Sequence, residues 1–415
     1  MSELEQLQQR YEDLRAQGLS LNLTRGKPGA EQLDLSDDLD GILEGNYESD
    51  DGGDTRNYGG IRGIPEIREI GGHILGLDSS NVIAAGNSSL QLMYYLVDQL
   101  VSQGLAGPPL RSKPSITAIC PVPGYDRHFT LTDRLGIEMV NVSMTDDGPN
   151  MDEVEELVRN ELSTSFMWCV PKHSNPTGCT YSPSTVDRIA ALPAIRNEKP
   201  DAPFYVLWDN AYALHDFADA TAELESINER GLVHGTQDRI VQFGSTSKMT
   251  FAGGGVAFLG GSDAILDGFE QYLSAATVGF DKVNQLRHAR FFRDEAGLRA
   301  HMSNHARILK PKFEAVQQGL TRELGNRGIA KWTQPTGGYF VSLDVNSGLA
   351  SKVVDLAQLA GLSLTPAGAT FPYGNDPNDS NIRIAPTFAT LEEVVAAIEI
   401  LGVCVRLVAA RDIES

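Results

Sequence analysis

Positive charge is scarce in this chain. Over 415 residues, 34 lysines and arginines stand against 55 aspartates and glutamates, a formal net charge of −21. A surface of that sign repels nucleic-acid phosphates, which argues against nucleic acid as a partner. Cysteine is scarce too. Cys120, Cys169, Cys179 and Cys404 are scattered without metal-ligand spacing, so no metal site is expected and small buried thiols in a reducing cytosol are the default. Long apolar runs are also missing. None approaches the roughly 20 residues that span a bilayer, and the most apolar late stretch, Val394–Ala410, is broken by Glu399 and Arg406. The opening Met1-Ser2-Glu3-Leu4-Glu5 is polar and acidic, unlike a secretory signal. The expectation is a cytoplasmic protein with no membrane partner.

What remains is ordinary for a soluble globular chain: 41 % hydrophobic and 21 % charged residues. The length allows two domains sharing a large core. Leu4, Leu7, Tyr11 and Leu14 predict a helix within residues 1–20. Leu21–Asn57, rich in Gly, Asp and Pro, reads as irregular. A helix over Ile64–Leu75, a strand over Asn81–Gly86 and an apolar helix over Leu90–Val101 follow. Short apolar runs then alternate with helical stretches: Ser115–Cys120, Glu138–Val142, Ser165–Val170, Phe204–Trp208, Arg239–Phe243 and Val256–Leu259. Such alternation predicts a mostly parallel sheet with helices on both faces, and ligands gather at the carboxyl ends of such strands. A long helix from about Ala296 leads to a second region, with strands over Tyr339–Asp344 and Asn381–Ile384 and a closing helix over Leu391–Val408. No repeat or low-complexity linker separates the two.

The residues of interest follow the predicted strands. In Gly244-Ser245-Thr246-Ser247-Lys248, one lysine ends a buried strand beside three hydroxyls. A buried amine there suits a Schiff base with an aldehyde cofactor, and the hydroxyls suit its phosphate. Gly86-Asn87-Ser88-Ser89 sits at a strand-to-helix junction, where an anion site and a plain N-cap are both open readings. The ring of Tyr125 in Pro123-Gly124-Tyr125 could stack on a flat heterocycle. Asn175, framed by prolines and glycine in Pro171–Gly178, could donate to a phenolate oxygen. Asp209, ending a buried strand in Trp208-Asp209-Asn210-Ala211-Tyr212, could pair with a protonated pyridine nitrogen, or simply cap a helix. Tyr212 could join Asn175 at the phenolate. Arg383 in Asn381-Ile382-Arg383-Ile384 could grip a carboxylate, or form a surface ion pair.

In this order the motifs, with Asn57-Tyr58-Gly59-Gly60 and Pro335-Thr336-Gly337-Gly338-Tyr339-Phe340, resemble the class I and II aminotransferases. These are fold-type-I enzymes that use pyridoxal 5'-phosphate. Thr24-Arg25-Gly26-Lys27-Pro28 and Ser247–Gly253 resemble a bacterial aspartate aminotransferase subgroup. The resemblance implies an α/β fold, a three-layer mostly parallel sheet plus a smaller α+β domain. Residues 51–305 would form the large cofactor domain and 306–415 the small one, with 1–50 packing on the small domain. It implies that Lys248 is the Schiff-base lysine and general base, that Asp209 holds the pyridine nitrogen, and that Asn175 and Tyr212 hold the phenolate. Tyr125 would stack on the ring, while Ser88, Ser89, Ser245 and Ser247 bind the phosphate side. Arg383, Asn175, Gly26 and Arg25 would meet substrate, and Tyr58 would reach the neighbouring subunit of a homodimer with active sites at the interface. The implied reaction is ping-pong transfer from an amino acid, foremost aspartate, to the keto acid 2-oxoglutarate. Alanine, aromatic or aminoadipate transamination, a β-lyase or a decarboxylase would use the same residues. A ligand-sensing regulator needs a DNA-binding segment, and the 20 or so residues before Leu21 show no basic face. One departure stands out: many relatives carry an arginine eight residues after the lysine, where this chain has Val256. Phosphate binding must then rest more on amides and hydroxyls, or on a cation elsewhere in the chain. A second substrate carboxylate would need Arg25, Lys282, Arg287 or Arg290, which the sequence does not rank.

Overall fold

Helix α1 (Glu3–Ala16) buries Leu7, Tyr11 and Leu14 on one face, as their spacing predicts. The computed structural model describes residues 2–414. The stretch expected to be irregular holds β1 (Leu21–Asn22), α2 (Ala30–Asp34) and a single 3-10 turn at Asp37–Leu39. None is long enough to leave a periodic signature, so tertiary packing decides them.

Next come α3 (Pro65–Leu75), β2 (Val82–Ala84), α4 (Ser89–Ser102), β3 (Thr117–Val122), α5 (Asp126–Arg134), β4 (Glu138–Thr145) and β5 (Gly148–Pro149). The alternation continues with α6 (Met151–Asn160), β6 (Thr164–Cys169), α7 (Pro183–Ala191), β7 (Tyr205–Asp209), α8 (Ile227–His234), β8 (Ile240–Ser245) and β9 (Ala257–Gly260). These strands form one sheet in the order β2-β9-β8-β7-β6-β3-β4-β5. The central pairs β4–β3, β3–β6, β6–β7 and β7–β8 are parallel, while β9 runs against both its neighbours. Alternate side chains enter opposite cores. Phe166, Trp168, Leu207 and Phe243 face one cluster; Met167, Cys169, Val206 and Trp208 face the other. Burial on both faces is why the strands read as continuous apolar runs. The expected mostly parallel sheet with helices on both faces is therefore the observed fold.

The rest of the chain contributes α9 (Asp263–Leu273), α10 (Lys282–Phe292), the long α11 (Glu295–Leu324), β10 (Ala330–Trp332), β11 (Val341–Val345), α12 (Ala350–Leu359), β12 (Leu362–Ser363), β13 (Asn381–Ile384) and α13 (Leu391–Glu414). Strands β10, β11 and β13 make an antiparallel sheet, and β1 pairs in parallel with β12. Leu7, Tyr11, Leu14, Leu21 and Leu23 join the core built from α11, α12 and α13. Among the described residues, no helix is long and apolar enough to cross a membrane, and no cluster could hold a metal ion.

One ion cluster pins these helices together. Both terminal nitrogens of Arg10 on α1 donate to the Glu323 carboxylate on α11 at 2.8 Å, and one also reaches Glu399 on α13. Arg406 on α13 approaches Glu323 at 3.4 Å. Burial pushes the Glu323 carboxyl up, but Arg10 and Arg322 together more than offset it and hold the group below its ordinary value. A carboxylate with a lowered folded pKa contributes stability above the ordinary carboxylate range and loses it as pH falls through the lowered value. Glu323→Gln is expected to cost about 2 kcal/mol at neutral pH, the half-exposed Arg10 keeping it below a fully buried pair. Thermal unfolding across pH checks this: the gap between wild type and variant should close as pH drops below about 4.

Candidate active site

The carboxyl ends of β6, β7 and β8 lie side by side, because Cys169 registers with Trp208 and Asp209 with Phe243. Asp209 is the last residue of β7 and is 2 % exposed. It caps no helix. The His128 imidazole Nε2 bonds its Oδ2 at 3.2 Å, while Oδ1 is buried with no partner. An unpartnered buried carboxylate oxygen is costly, so it marks a place where a ligand donor belongs. His128 is itself fixed: its ring stacks flat on Trp168 at 4.2 Å and meets the Tyr125 edge at 4.9 Å. The sequence reading missed His128. Its signal was a histidine one helical turn past Tyr125, at the start of a helix that follows a strand.

Lys248 follows β8, and its amine sits over the Tyr212 ring, 4.8 Å from the centroid. Burial lowers the amine's pKa and nearby Asp209 partly restores it, which favours a neutral amine able to act as nucleophile or base. Burial raises the Tyr212 and Tyr125 hydroxyls, helped by the charge of Asp209, so both stay protonated donors. Asn175 is buried in the loop after β6 and is joined to Pro176 by a cis peptide; a second cis peptide, Val122–Pro123, follows β3. That loop packs closely on the Pro335–Gly338 turn: a Cβ on Gly337 would lie 2.2 Å from the His173 ring, which requires glycine there.

Arg383 comes from β13 and is buried, not a surface ion pair. Its Nη1 donates to Asp126 Oδ1 at 2.9 Å and to Asn175 Oδ1 at 3.3 Å, and its Nη2 to Thr365 Oγ1 at 3.3 Å. The guanidinium lies over Phe340, and its Nε is buried without a partner. Asp126 was not foreseen as its counter-ion. Gly26 packs on the same Phe340 ring, so closely that a Cβ would approach within 2.4 Å.

Ser88 and Ser89 open the 14-residue α4, and the Ser88 side chain makes no cap bond. A helix N-terminus with uncommitted hydroxyls has the chemistry to take an anion. The Ser245 hydroxyl accepts the Ser247 amide at 3.4 Å, while the Ser247 hydroxyl donates to the Asn87 carbonyl at 3.0 Å. Ser247 thus ties the lysine turn to the α4 turn. Val256 is buried in an apolar cluster with Ile67, Ile70 and Leu286, its amide held by Thr246 Oγ1 at 2.9 Å. A guanidinium on that side chain would lose its water without a partner.

Other expected residues lie apart. Tyr58 is 87 % exposed and outside this constellation, its carbonyl accepting from Lys282 Nζ at 3.3 Å. Arg287 is taken by the Leu39 carbonyl and Asp40, and Arg290 by the Asn46 and Glu48 carbonyls. Arg25 is exposed beside Gly26.

The converging groups are one amine, one orphaned carboxylate oxygen, two phenols, a buried arginine and a hydroxyl-lined helix end. They fit a flat heterocycle with a protonated ring nitrogen, an aldehyde and a phosphate, and beside it a carboxylate substrate.

Comparison with known proteins gives the same answer. The aspartate aminotransferase family model matches residues 1–415. A protein of Mycolicibacterium smegmatis, named only provisionally as an aminotransferase, is 46 % identical over 410 residues, covering 97 % of this chain and 95 % of that one. The aspartate aminotransferase of Corynebacterium glutamicum is 42 % identical over 409 residues, 98 % and 93 % of the two chains. A crystal structure of an aspartate transaminase from the same species superimposes with a TM-score of 0.94 at 42 % identity, covering 99 % and 96 %. This chain belongs to the aspartate aminotransferase family and is an aminotransferase.

Proposed function

We propose that this aminotransferase uses pyridoxal 5'-phosphate to pass the amino group of aspartate to 2-oxoglutarate. The observation that carries the cofactor is the buried, unpartnered Oδ1 of Asp209 at the strand ends that also present Lys248. Bound there, the cofactor supplies an aldehyde that condenses with amines and a ring that stores the electron pair left by a departing α-proton. Lys248 supplies the amine that holds the aldehyde and, once released, moves the proton from the substrate α-carbon. Asp209, kept in place by His128, holds the proton on the ring nitrogen. Tyr212 and Asn175 donate to the ring oxygen, Tyr125 covers the ring, and Ser88, Ser89 and Ser245 take the phosphate. Arg383 binds the α-carboxylate through its free Nε edge, sharing its other face with Asp126. Gly26 lets the segment that carries Arg25 pack against the Phe340 ring over which Arg383 lies.

Aspartate rests on the family match and on the name of the Corynebacterium glutamicum relative. With Arg287 and Arg290 committed to the 39–48 segment, Arg25 beside Gly26 is the cation we assign to the second carboxylate. We read Tyr58, exposed on its glycine-rich turn, as reaching the site of a second copy in a cytoplasmic homodimer. Residues 51–305 and 306–415 are then the two domains that enclose the substrate.

The direct experiment is an absorbance spectrum of the purified protein loaded with pyridoxal phosphate. Aspartate alone should convert the visible band to a near-ultraviolet one, and 2-oxoglutarate should restore it. A band that ignores aspartate would overturn the substrate, and pyruvate with ammonia released in the absence of keto acid would indicate a lyase. Arg383→Gln should raise KM for the amino acid by about thirtyfold, the worth of a charged hydrogen-bond pair. Steady-state kinetics check this, with kcat expected to change less than KM.

A further inference from the structure

Behind the reactive lysine lies a chain of buried side chains that the reaction does not use. The peptide carbonyl of Lys248 accepts from the Tyr339 hydroxyl at 3.1 Å and from His215 Nε2 at 3.4 Å. The next carbonyl, that of Met249, accepts from His301 Nε2 at 2.6 Å and from His305 Nε2 at 2.8 Å. Four side chains therefore hold two successive carbonyls. They come from the turn after β7, the strand approach before β11, and α11.

Gln32, fully buried on α2, organises the set. Its Nε2 donates both to the Tyr339 hydroxyl and to His305 Nδ1, each at 3.0 Å, while its Oε1 accepts the Gly29 amide at 3.2 Å. Each proton then has one place. Tyr339, accepting from Gln32, turns its own hydrogen to Lys248. His305, accepting at Nδ1, carries its hydrogen on Nε2 and donates it to Met249. Burial and the neighbouring His301 lower the His305 pKa to about 4, which keeps the ring neutral as this pattern requires.

We propose that Gln32, Tyr339 and His305 are positioning residues for Lys248, carrying the seating of the N-terminal α2 segment to the reactive amine. The lysine's backbone is thereby fixed by a segment that adjoins Gly26 and hence the substrate side of the site. The groups facing the amine itself are Asp209, Tyr212 and His215. Loosening the backbone lets the lysine nitrogen, free or bound to the aldehyde, leave its buried seat for a more hydrated one, which favours its charged form. The inference rests on Lys248 being the amine that holds the cofactor.

The test uses the cofactor-loaded enzyme and two variants. Tyr339→Phe keeps the ring and removes both hydroxyl bonds; Gln32→Met keeps the length and removes the chain upstream. In each, the pH midpoint of the cofactor's visible band should rise by about half a unit or more. The kcat should fall about tenfold while KM stays within about threefold, as misplacement of a reacting group does. The double variant should be no worse than the worse single, because both changes break one chain. A midpoint unmoved in both variants overturns the proposal, whatever happens to the melting temperature, and so do additive losses. Should Tyr339→Phe fail to fold, Gln32→Met decides on the same two readouts. A wild-type protein with no visible band would instead overturn the role of Lys248 itself.

Discussion

A buried carboxylate oxygen with no partner is the constraint around which this molecule is arranged. Asp209 ends a strand whose every residue is buried, so its charge is far from water. One oxygen is satisfied by His128, which is locked by stacking on Trp168 and carried by α5, the helix after β3, two strands away in the sheet. The other is left open. Natural structures rarely leave such a group unless something completes it. The parallel sheet is what makes the arrangement possible, since it delivers Asp209, the Asn175 loop and Lys248 to one edge through separate strands.

The second half of the chain closes that edge from above. Arg383 reaches down from the small antiparallel sheet to Asp126 and Asn175, and the Pro335–Gly338 turn packs on the loop that carries Asn175. Each contact spans regions far apart in sequence, so the site exists only when both sheets are folded and docked. The hydrogen-bonded chain from Gln32 to Lys248 adds the N-terminal segment to the same assembly. The proposed substrate grip, the placement of Lys248 and the docking of the two sheets therefore share residues.

Much of the fold was legible because burial on both faces leaves strands as apolar runs, and those runs matched β3, β6, β7 and β8 to within two or three residues. The short β1 and α2 were not legible, since two to five residues carry no period and their formation depends on distant partners. Lys248, Asp209, Asn175 and Tyr212 were legible as polar groups at or just past the ends of buried strands, which is where the structure puts them. The residues that support them could not. His128, Asp126, Gln32 and His305 sit in ordinary helical contexts, and only the folded chain shows what they touch. Val256 was legible as a departure but not as a consequence: the structure turns that side chain into an apolar cluster, where no arginine fits.

The most direct measurement is the nitrogen-15 chemical shift of ring-labelled pyridoxal phosphate bound to the protein, followed across pH. If the open oxygen of Asp209 receives the ring nitrogen, the shift should remain that of a protonated pyridine well above the pH at which the free cofactor deprotonates. A bound cofactor whose nitrogen titrates like the free one would contradict the account, and Asp209 would then be a buried charge without a purpose.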